Sequence, residues 1–305
     1  MSSIIILSKK YNIFPFNNFN SFFEIEIANK TIAEIIVENN LNFSQNKPKK
    51  IIIDFIELFN KKKIINRLKK YLPVDFKEKL SNKLIKENDL RYFSSIENKW
   101  ININNLSDYK FILENELNSL KNYISKKSKI EKKVEIEGNV YIEDNVEILN
   151  GSRLKKNIYI GKNVFIANNC LIRNNSSISN NVRFGYNVEI KKSIIMPNSA
   201  VGPLSCVLDS IICENTFLGA LVRTSNYRLD GKTISIIQNS QLIDTNQKNF
   251  GTIIGKNTQI GIGVIIYPGR FIGNNILIEP NIVIKKNISN NRHLFLEQTI
   301  KEKDL

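Results

Sequence analysis

From Ile136 a large apolar residue returns at every sixth position: Ile136, Ile142, Ile148, Leu154, Ile160, Ile166, Ile172, Ile178, Phe184, Ile190 and Met196. Two residues ahead of each runs a second track of mostly small or β-branched residues: Val134, Val140, Val146, Ser152, Ile158, Val164, Cys170, Ser176, Val182, Val188 and Ile194. After an interruption the beat resumes at Ile254, Ile260, Ile266, Ile272, Ile278 and Ile284, and Gly255, Gly261 and Gly273 follow three of these isoleucines. A period of six predicts a parallel β-helix in which each hexad sends one large side chain inward, places a smaller one at the corner, and uses Gly or Asn for the turn. Three hexads close one triangular coil, and stacked coils bury a core that no single coil could bury alone. The pattern fixes architecture and carries no chemistry by itself.

Ahead of the repeats the pattern changes. Residues 4–7 (IIIL) and 51–55 (IIIDF) read as buried strands, and residues 31–39 (TIAEIIVEN) as a helix opened by a capping box of Thr31 and Glu34. That alternation predicts a small α/β domain over residues 1–95. A linker over residues 96–133 follows, with an amphipathic helix whose apolar stripe is Tyr109, Ile112, Leu113, Leu117 and Leu120, with Glu116 its one polar member. The β-helix then covers 134–288 with an inserted loop at 223–251, and 289–305 is a tail.

Composition narrows the function. The net charge of +15 would suit nucleic acid or an anionic surface. However, the lysines are scattered through a chain equally rich in Ile and Asn, which reads as a chain-wide residue bias. The densest run, residues 61–70 (KKKIINRLKK), has its apolar residues at helical spacing and reads as a solvated helix face. Small phosphorylated ligands fit this field better than nucleic acid. Cys170, Cys206 and Cys213 are odd in number and sit in apolar runs, so they read as reduced core thiols, with no metal site implied. No run approaches the ~20 apolar residues of a membrane span, and the N-terminus lacks the apolar run of a secretory signal. A soluble cytoplasmic protein is expected. The first glycine in the chain is Gly138, so a glycine-rich loop for a nucleotide pyrophosphate is not available ahead of the repeats.

Several blocks in order carry a family resemblance: ENKWININNLSDYKFILENELNSL, the hexads, the DSII of residues 209–212, the NYRLDGKTI of 226–234, and KNFGTIIGKNTQIGIGVIIYPGR of 248–270. Together they resemble the C-terminal half of the bifunctional sugar-1-phosphate nucleotidylyltransferase and amino-sugar-1-phosphate N-acetyltransferase family, over roughly residues 96–288. Residues 1–95 resemble its nucleotidylyltransferase domain only as a shortened relic. The resemblance implies a left-handed β-helix, a homotrimer, acetyl-CoA as acyl donor, and a sugar phosphate or nucleotide sugar as ligand.

It also implies a pocket between subunits formed by the inserted loop, with Asn226, Tyr227, Arg228, Asp230 and Lys232 as binding residues. Arg228 and Lys232 suit phosphate, and Asn226 an amide or thioester, although Asp230-Gly231 is also a good turn in its own right. An insertion of this length in a regular solenoid points to function. The family's catalytic histidine falls on Pro203 and a following tyrosine on Cys206, and neither can do the original chemistry. Leu221 stands for an expected glycine and Ser235 for an expected lysine. His293, the only histidine, reads as a surface tail residue, and Glu189, Glu214 and Asp209 are alternative carboxylate bases. Two readings remain open: a hexapeptide-repeat acyltransferase with altered catalytic groups, or a non-catalytic trimeric scaffold or regulatory subunit, paired with an active nucleotidylyltransferase relative.

Overall fold

The computed structural model describes residues 26–28, 30–43, 68–71, 108–238 and 241–303, together with the backbone of five N-terminal strands. Three of these strands, Ile4–Leu7, Lys50–Ile53 and Val74–Phe76, pair in parallel in that order, and Arg91–Ser94 pairs antiparallel with Lys99–Asn102. Helix α1 (Ile32–Phe43) connects the first two of the parallel strands. Its capping box is formed: the Glu34 carboxylate accepts from the Thr31 amide at 2.9 Å and the Thr31 hydroxyl accepts from the Glu34 amide at 3.2 Å. Of the basic run at 61–70, all but the last three residues lie outside the described residues.

The rest is a left-handed parallel β-helix with three flat faces. Face I begins at Tyr123–Ile124 and has eight strands, face II begins at Lys129–Ile130 and has nine, and face III begins at Glu135–Glu137 and has eight. Pairing therefore starts before residue 134 and continues past 288, to His293–Leu294 at the end of face II. The hexad isoleucines from Ile142 to Ile190 are buried in the inner core, whereas Ile136, at the open end of the stack, is 37 % exposed.

Beyond Ile190 the beat slips. Ile195 pairs with Ile178, seventeen residues on, and Ile212 follows Ile195 at the same interval. The inner residue is therefore Ile195, and the corner position belongs to buried Ser193 rather than Ile194; Met196 and Ile194 pack instead on the outside of face I. Serine suits the shortened corner because its hydroxyl takes over backbone bonding: the Ser193 Oγ donates to the Lys191 carbonyl at 2.8 Å and accepts from the Ser210 amide at 3.0 Å.

The asparagine excess has a structural source as well as a compositional one. At the corner between faces I and II, eight asparagines (145, 163, 181, 198, 215, 257, 275 and 291) hold φ between 54° and 59°. Asn is one of the few residues that adopts this left-handed conformation cheaply. Their side-chain amides donate one to the next along the whole stack at 2.9–3.2 Å.

The outside of face I is covered. Helix α2 (Tyr109–Asn118) lays Tyr109, Ile112, Leu113 and Leu117 over Ile194, Ile211, Ile253 and Phe271, and α1 and the inserted loop extend the same cluster. Tyr109, Ile112, Leu113 and Leu117 of the expected apolar stripe lie buried on α2, whereas Leu120 lies past its end and is partly buried; the polar members also differ, with Lys110 and Asn115 buried and Glu116 only half-buried.

Candidate functional site

Asp209 lies at the corner between faces III and I, in one of the shortened turns, with φ +49°. Around it three parts of the molecule meet. Its carboxylate accepts from Lys110 Nζ of α2 at 2.8 Å, from Lys191 Nζ of the preceding coil at 3.1 Å, and from Asn226 Nδ2 of the inserted loop at 2.6 Å. Its carbonyl accepts from the Tyr109 hydroxyl and from the Gly251 amide, both at 2.9 Å. Lys110 also donates to the Asn249 carbonyl and lies 5.2 Å from the centroid of Phe250. Burial raises the Asp209 pKa, but Lys110, Asn226 and Lys191 outweigh it and hold the carboxyl below its ordinary value. Burial takes Lys110 down to about 8 against the opposing pull of Asp209, and it holds Tyr109 well above 10. Asp209 is thus committed to a structural bolt and is not a free base.

The loop leaves face III after Arg223–Thr224 and returns at Phe250, whose amide donates to the Asn226 carbonyl at 2.9 Å. Between these points lies an antiparallel hairpin, Ser235–Gln238 against Gln241–Asp244. The structure separates the five loop residues expected to bind ligand. Asn226 is buried and spent on Asp209. Tyr227 bridges to Asn249 with its ring half exposed. Arg228 clamps Asp230 in two bonds, at 2.9 and 2.6 Å, which, with the Lys232 amide, keeps the Asp230 carboxyl well below its ordinary range. Gly231, at φ +67°, closes that turn, and Lys232 stands exposed beyond it. Arg270 is close enough to Arg228 that its pKa is lowered by burial and by that neighbour. The tip therefore gathers Arg228 and Lys232 around the Asp230 carboxylate, with Arg270, from the solenoid turn beyond the loop, near Arg228. Arg270 was not singled out from the sequence, although its YPGR block was in view; a spacing of forty-two residues from Arg228 gives no local signal.

Pro203 and Cys206 sit where faces II and III meet. The Pro203 ring fills the space over Gly185, where a Cβ would come within 2.7 Å of it. Cys206 is not a core thiol. It faces outward, half-buried, with Sγ 3.6 Å from Glu189 Oε2. Burial, then Glu189, pushes the thiol up to about 11. Glu189 is in turn held by Arg173 at 2.7 Å. Glu214 is half-buried beside the asparagine stack. His293 belongs to a face II strand rather than a free tail, with Nε2 3.0 Å from Glu279 Oε1. Among the described residues, no cluster of three or more His, Cys, Asp or Glu is placed to hold a metal ion, and no helix is long and apolar enough to cross a membrane.

The family model that matches the chain is the GMPPB C-terminal domain, over residues 154–246. An acetyltransferase of Escherichia coli O6:K15:H31, YaiX, is 40 % identical over 72 residues, covering 24 % of this chain and 31 % of that protein. The bifunctional protein GlmU of Methanococcus aeolicus is 40 % identical over 74 residues, covering 24 % of this chain and 18 % of that protein. The matched segments thus span about a third or less of these curated relatives. Among solved structures, the UDP-N-acetylglucosamine acyltransferase of Campylobacter jejuni aligns with a TM-score of 0.35 at 17 % identity, over 54 % of this chain and 68 % of that one. The solenoid half of this chain resembles the acetyltransferase half of bifunctional sugar-1-phosphate nucleotidylyltransferase/acetyltransferases.

Proposed function

We propose that this chain is an acyl-CoA-dependent acyltransferase of the hexapeptide-repeat type, acting on an amino-sugar phosphate or nucleotide sugar as a homotrimer. The observation that carries this reading is the loop tip, where Arg228 and Lys232 are presented on a segment bolted to the solenoid through Asn226 and Asp209, with Arg270 of the solenoid near Arg228. Guanidinium and ammonium groups around one carboxylate suit phosphate oxygens. A rigid base keeps them from having to be ordered when ligand binds. In the trimer the tip faces a neighbouring subunit, and donor and acceptor meet in the groove between them.

Acyl transfer to an amine needs a base for the amine proton and donors for the tetrahedral oxyanion. Pro203 supplies neither, and a thiol held near 11 stays protonated at neutral pH. This observation favours a second reading, in which the protein binds the same ligands as a non-catalytic subunit. Calorimetric titration with acetyl-CoA, with and without glucosamine 1-phosphate, tests the first. Saturable binding at one site per subunit, lost in Arg228→Gln/Lys232→Gln, supports it; flat titrations of the folded trimer overturn it. Acetyl transfer gained by Pro203→His/Cys206→Tyr in a protein otherwise inert would establish the second.

A further inference from the structure

The solenoid opens on a coil with no coil stacked above it. Strands Tyr123–Ile124, Lys129–Ile130 and Glu135–Glu137 are the end strands of faces I, II and III. Their inward residues, Ile124, Ile130 and Ile136, pair with Ile142, Ile148 and Leu154 of the next coil, which are fully buried. Ile124 and Ile136 are instead 42 % and 37 % exposed, and Ile130 is half-buried. Helix α2 packs on the outside of face I and leaves this end open. Repeat proteins close such an end with a polar terminal repeat, whereas this one is as apolar inside as the rest.

Three features of this end describe what extends it. The first is backbone. The carbonyls of Ile142, Val146, Ile148 and Ser152 accept from amides of the first coil at 2.8–3.0 Å; the matching carbonyls of Ile124, Ser128, Ile130 and Val134 face away from the stack, as an edge strand's do. The second is a ladder of rings on face I. Tyr159, Tyr141 and Tyr123 follow one another at centroid separations of 5.8 and 5.0 Å, and the ladder stops at Tyr123, which is 46 % exposed. The third is charge. Lys127 and Lys129 are spent on Asp144 and Glu147 below them, and Glu135 and Glu137 on Arg153 and Lys155. Lys121, Lys126, Lys132 and Lys133 remain, all exposed, and among the described residues no carboxylate lies within ion-pair distance of them. The one other carboxylate of the coil, Glu131, accepts from the Asn150 amide at 2.7 Å.

We infer that this open coil is a docking surface for an acidic segment of a partner protein, which adds a strand across faces I and II. The chemistry of that segment is set by the coil it joins: an aromatic and an aliphatic residue over Tyr123 and Ile124, acids at the corner beside Lys126, and an acid and an aliphatic residue over Lys129 and Ile130. Residues 141–148 (YIEDNVEI) have this composition and already pair with the same two strands from below. Glu135 and Glu137 keep such a segment off face III. A second copy of this chain does not suit the site, because like charges would meet: the last coil carries Lys285, Lys286 and Arg292, and its carboxylate Glu279 is taken by His293. A bilayer suits it less than a strand does, since hydrocarbon offers the edge carbonyls no donors. The inference does not rest on acyl transfer, and the loop tip takes no part in it.

The test is fluorescence anisotropy of a labelled peptide of sequence YIEDNVEI titrated with the full chain, beside the same peptide with its three acids changed to lysine. Saturable binding of the acidic peptide at one site per chain is expected, at least tenfold tighter than the lysine peptide and weaker at about 500 mM salt than at about 50 mM. Lys126→Gln/Lys132→Gln/Lys133→Gln should weaken it tenfold or more. These side chains are exposed and outside ion pairs, so the substitutions spare the fold, and Tyr123→Ser tests the ladder independently. In a parallel ladder a residue sends its amide to the same side as its carbonyl, so bound peptide should also slow hydrogen exchange at the amides of Ile124 and Ile130. No saturable binding, equal binding of the lysine peptide, unchanged affinity in both variants, or unchanged exchange at those amides overturns the inference. So does binding of phosphatidylserine vesicles that the lysine variant loses, in a chain that ignores the peptide, which would make this end a membrane contact.

Discussion

Asp209→Asn removes one charge and leaves the local backbone as it is, because asparagine tolerates the same left-handed φ of +49°. Two ammonium groups then lose their partner. The Lys110 side chain is only 7 % exposed and cannot reach solvent without moving α2, whereas Lys191, at 20 %, has more freedom. Breaking a buried pair from one side typically costs about 3–5 kcal/mol, and the freedom of Lys191 places the expected cost at the lower end, about 3 kcal/mol. Hydrogen exchange is the suitable assay, because a solenoid need not unfold in one step. The amides of Phe250 and Gly251 donate to the carbonyls of Asn226 and Asp209, so they report the bolt directly, and a loss of about 3 kcal/mol accelerates their exchange roughly 100-fold.

The pH dependence fixes the cause. With Asp209 present, Lys110 titrates at about 8 in the folded chain against 10.5 in the unfolded one. Between those values the unfolded state binds more protons, so the stability contributed by this group rises with pH. Without the carboxylate the folded value drops further, so the deficit of the variant is largest at pH 6 and shrinks by pH 9. Lys110→Met/Asp209→Asn should recover part of the loss. Exchange within threefold of wild type at pH 6, a deficit that grows with pH, or a double variant no more stable than Asp209→Asn would refute the buried-charge account.

Three further outcomes follow from the same geometry. Asn198→Ala in the asparagine stack removes bonds to Asn181 and Asn215 and leaves alanine at φ 59°; it should cost about 1–2 kcal/mol in urea unfolding, and Asn198→Gly should recover the backbone share. Gly251→Ala places a Cβ 2.1 Å from both the Leu208 carbonyl and the Ser210 hydroxyl, so the loop return must shift, and the thermal midpoint should fall by several degrees while Gly231→Ala, at the exposed tip, costs less. With its pKa near 11, Cys206 should react with iodoacetamide at pH 7.5 on the order of 100-fold more slowly than a free thiol of pKa about 8.5; a rate near that of the free thiol would place Cys206 outside the influence of Glu189.

The repeat was legible because its inner residues must be large and apolar in every coil, and sequence period reports that directly. The slip after Ile190 was not, and the reason is physical. In the run Ser193 to Met196, Ile194 and Ile195 point to opposite sides of face I, and both sides are apolar because α2 covers the outer one. A strand buried on both faces has no alternation to read, so a turn shorter by one residue leaves no mark of its own; even its serine is matched by Ser176 at the same corner of a full-length turn. Lys110 was hidden for a related reason. A lysine within an apolar helical stripe reads as a surface residue, and its partner lies 99 positions away. Thr31 and Glu34 were legible because a capping box is local.

The corner between faces II and III joins the departures at Pro203, Cys206 and Leu221 into one physical change. In most coils this corner takes Asn or Gly at positive φ, as at Asn169, Asn187, Gly263 and Asn281, but in two consecutive coils it takes Leu204 at φ 60° and Leu221 at φ 62°. Both leucines are more than a third exposed, with Tyr186 and Ile262 exposed in the coils on either side. A bulky residue in this conformation costs roughly 1 kcal/mol, and more than a third of each leucine's surface gains nothing from burial within the chain. Pro203 occupies the residue before Leu204. The resemblance places a polar catalytic group at this corner, whereas this chain presents a strained apolar edge. Restoring one histidine there would therefore return a titratable base to an exposed apolar edge. Pro203→His is for that reason a meaningful test of the lost chemistry even with the surrounding corner left unchanged.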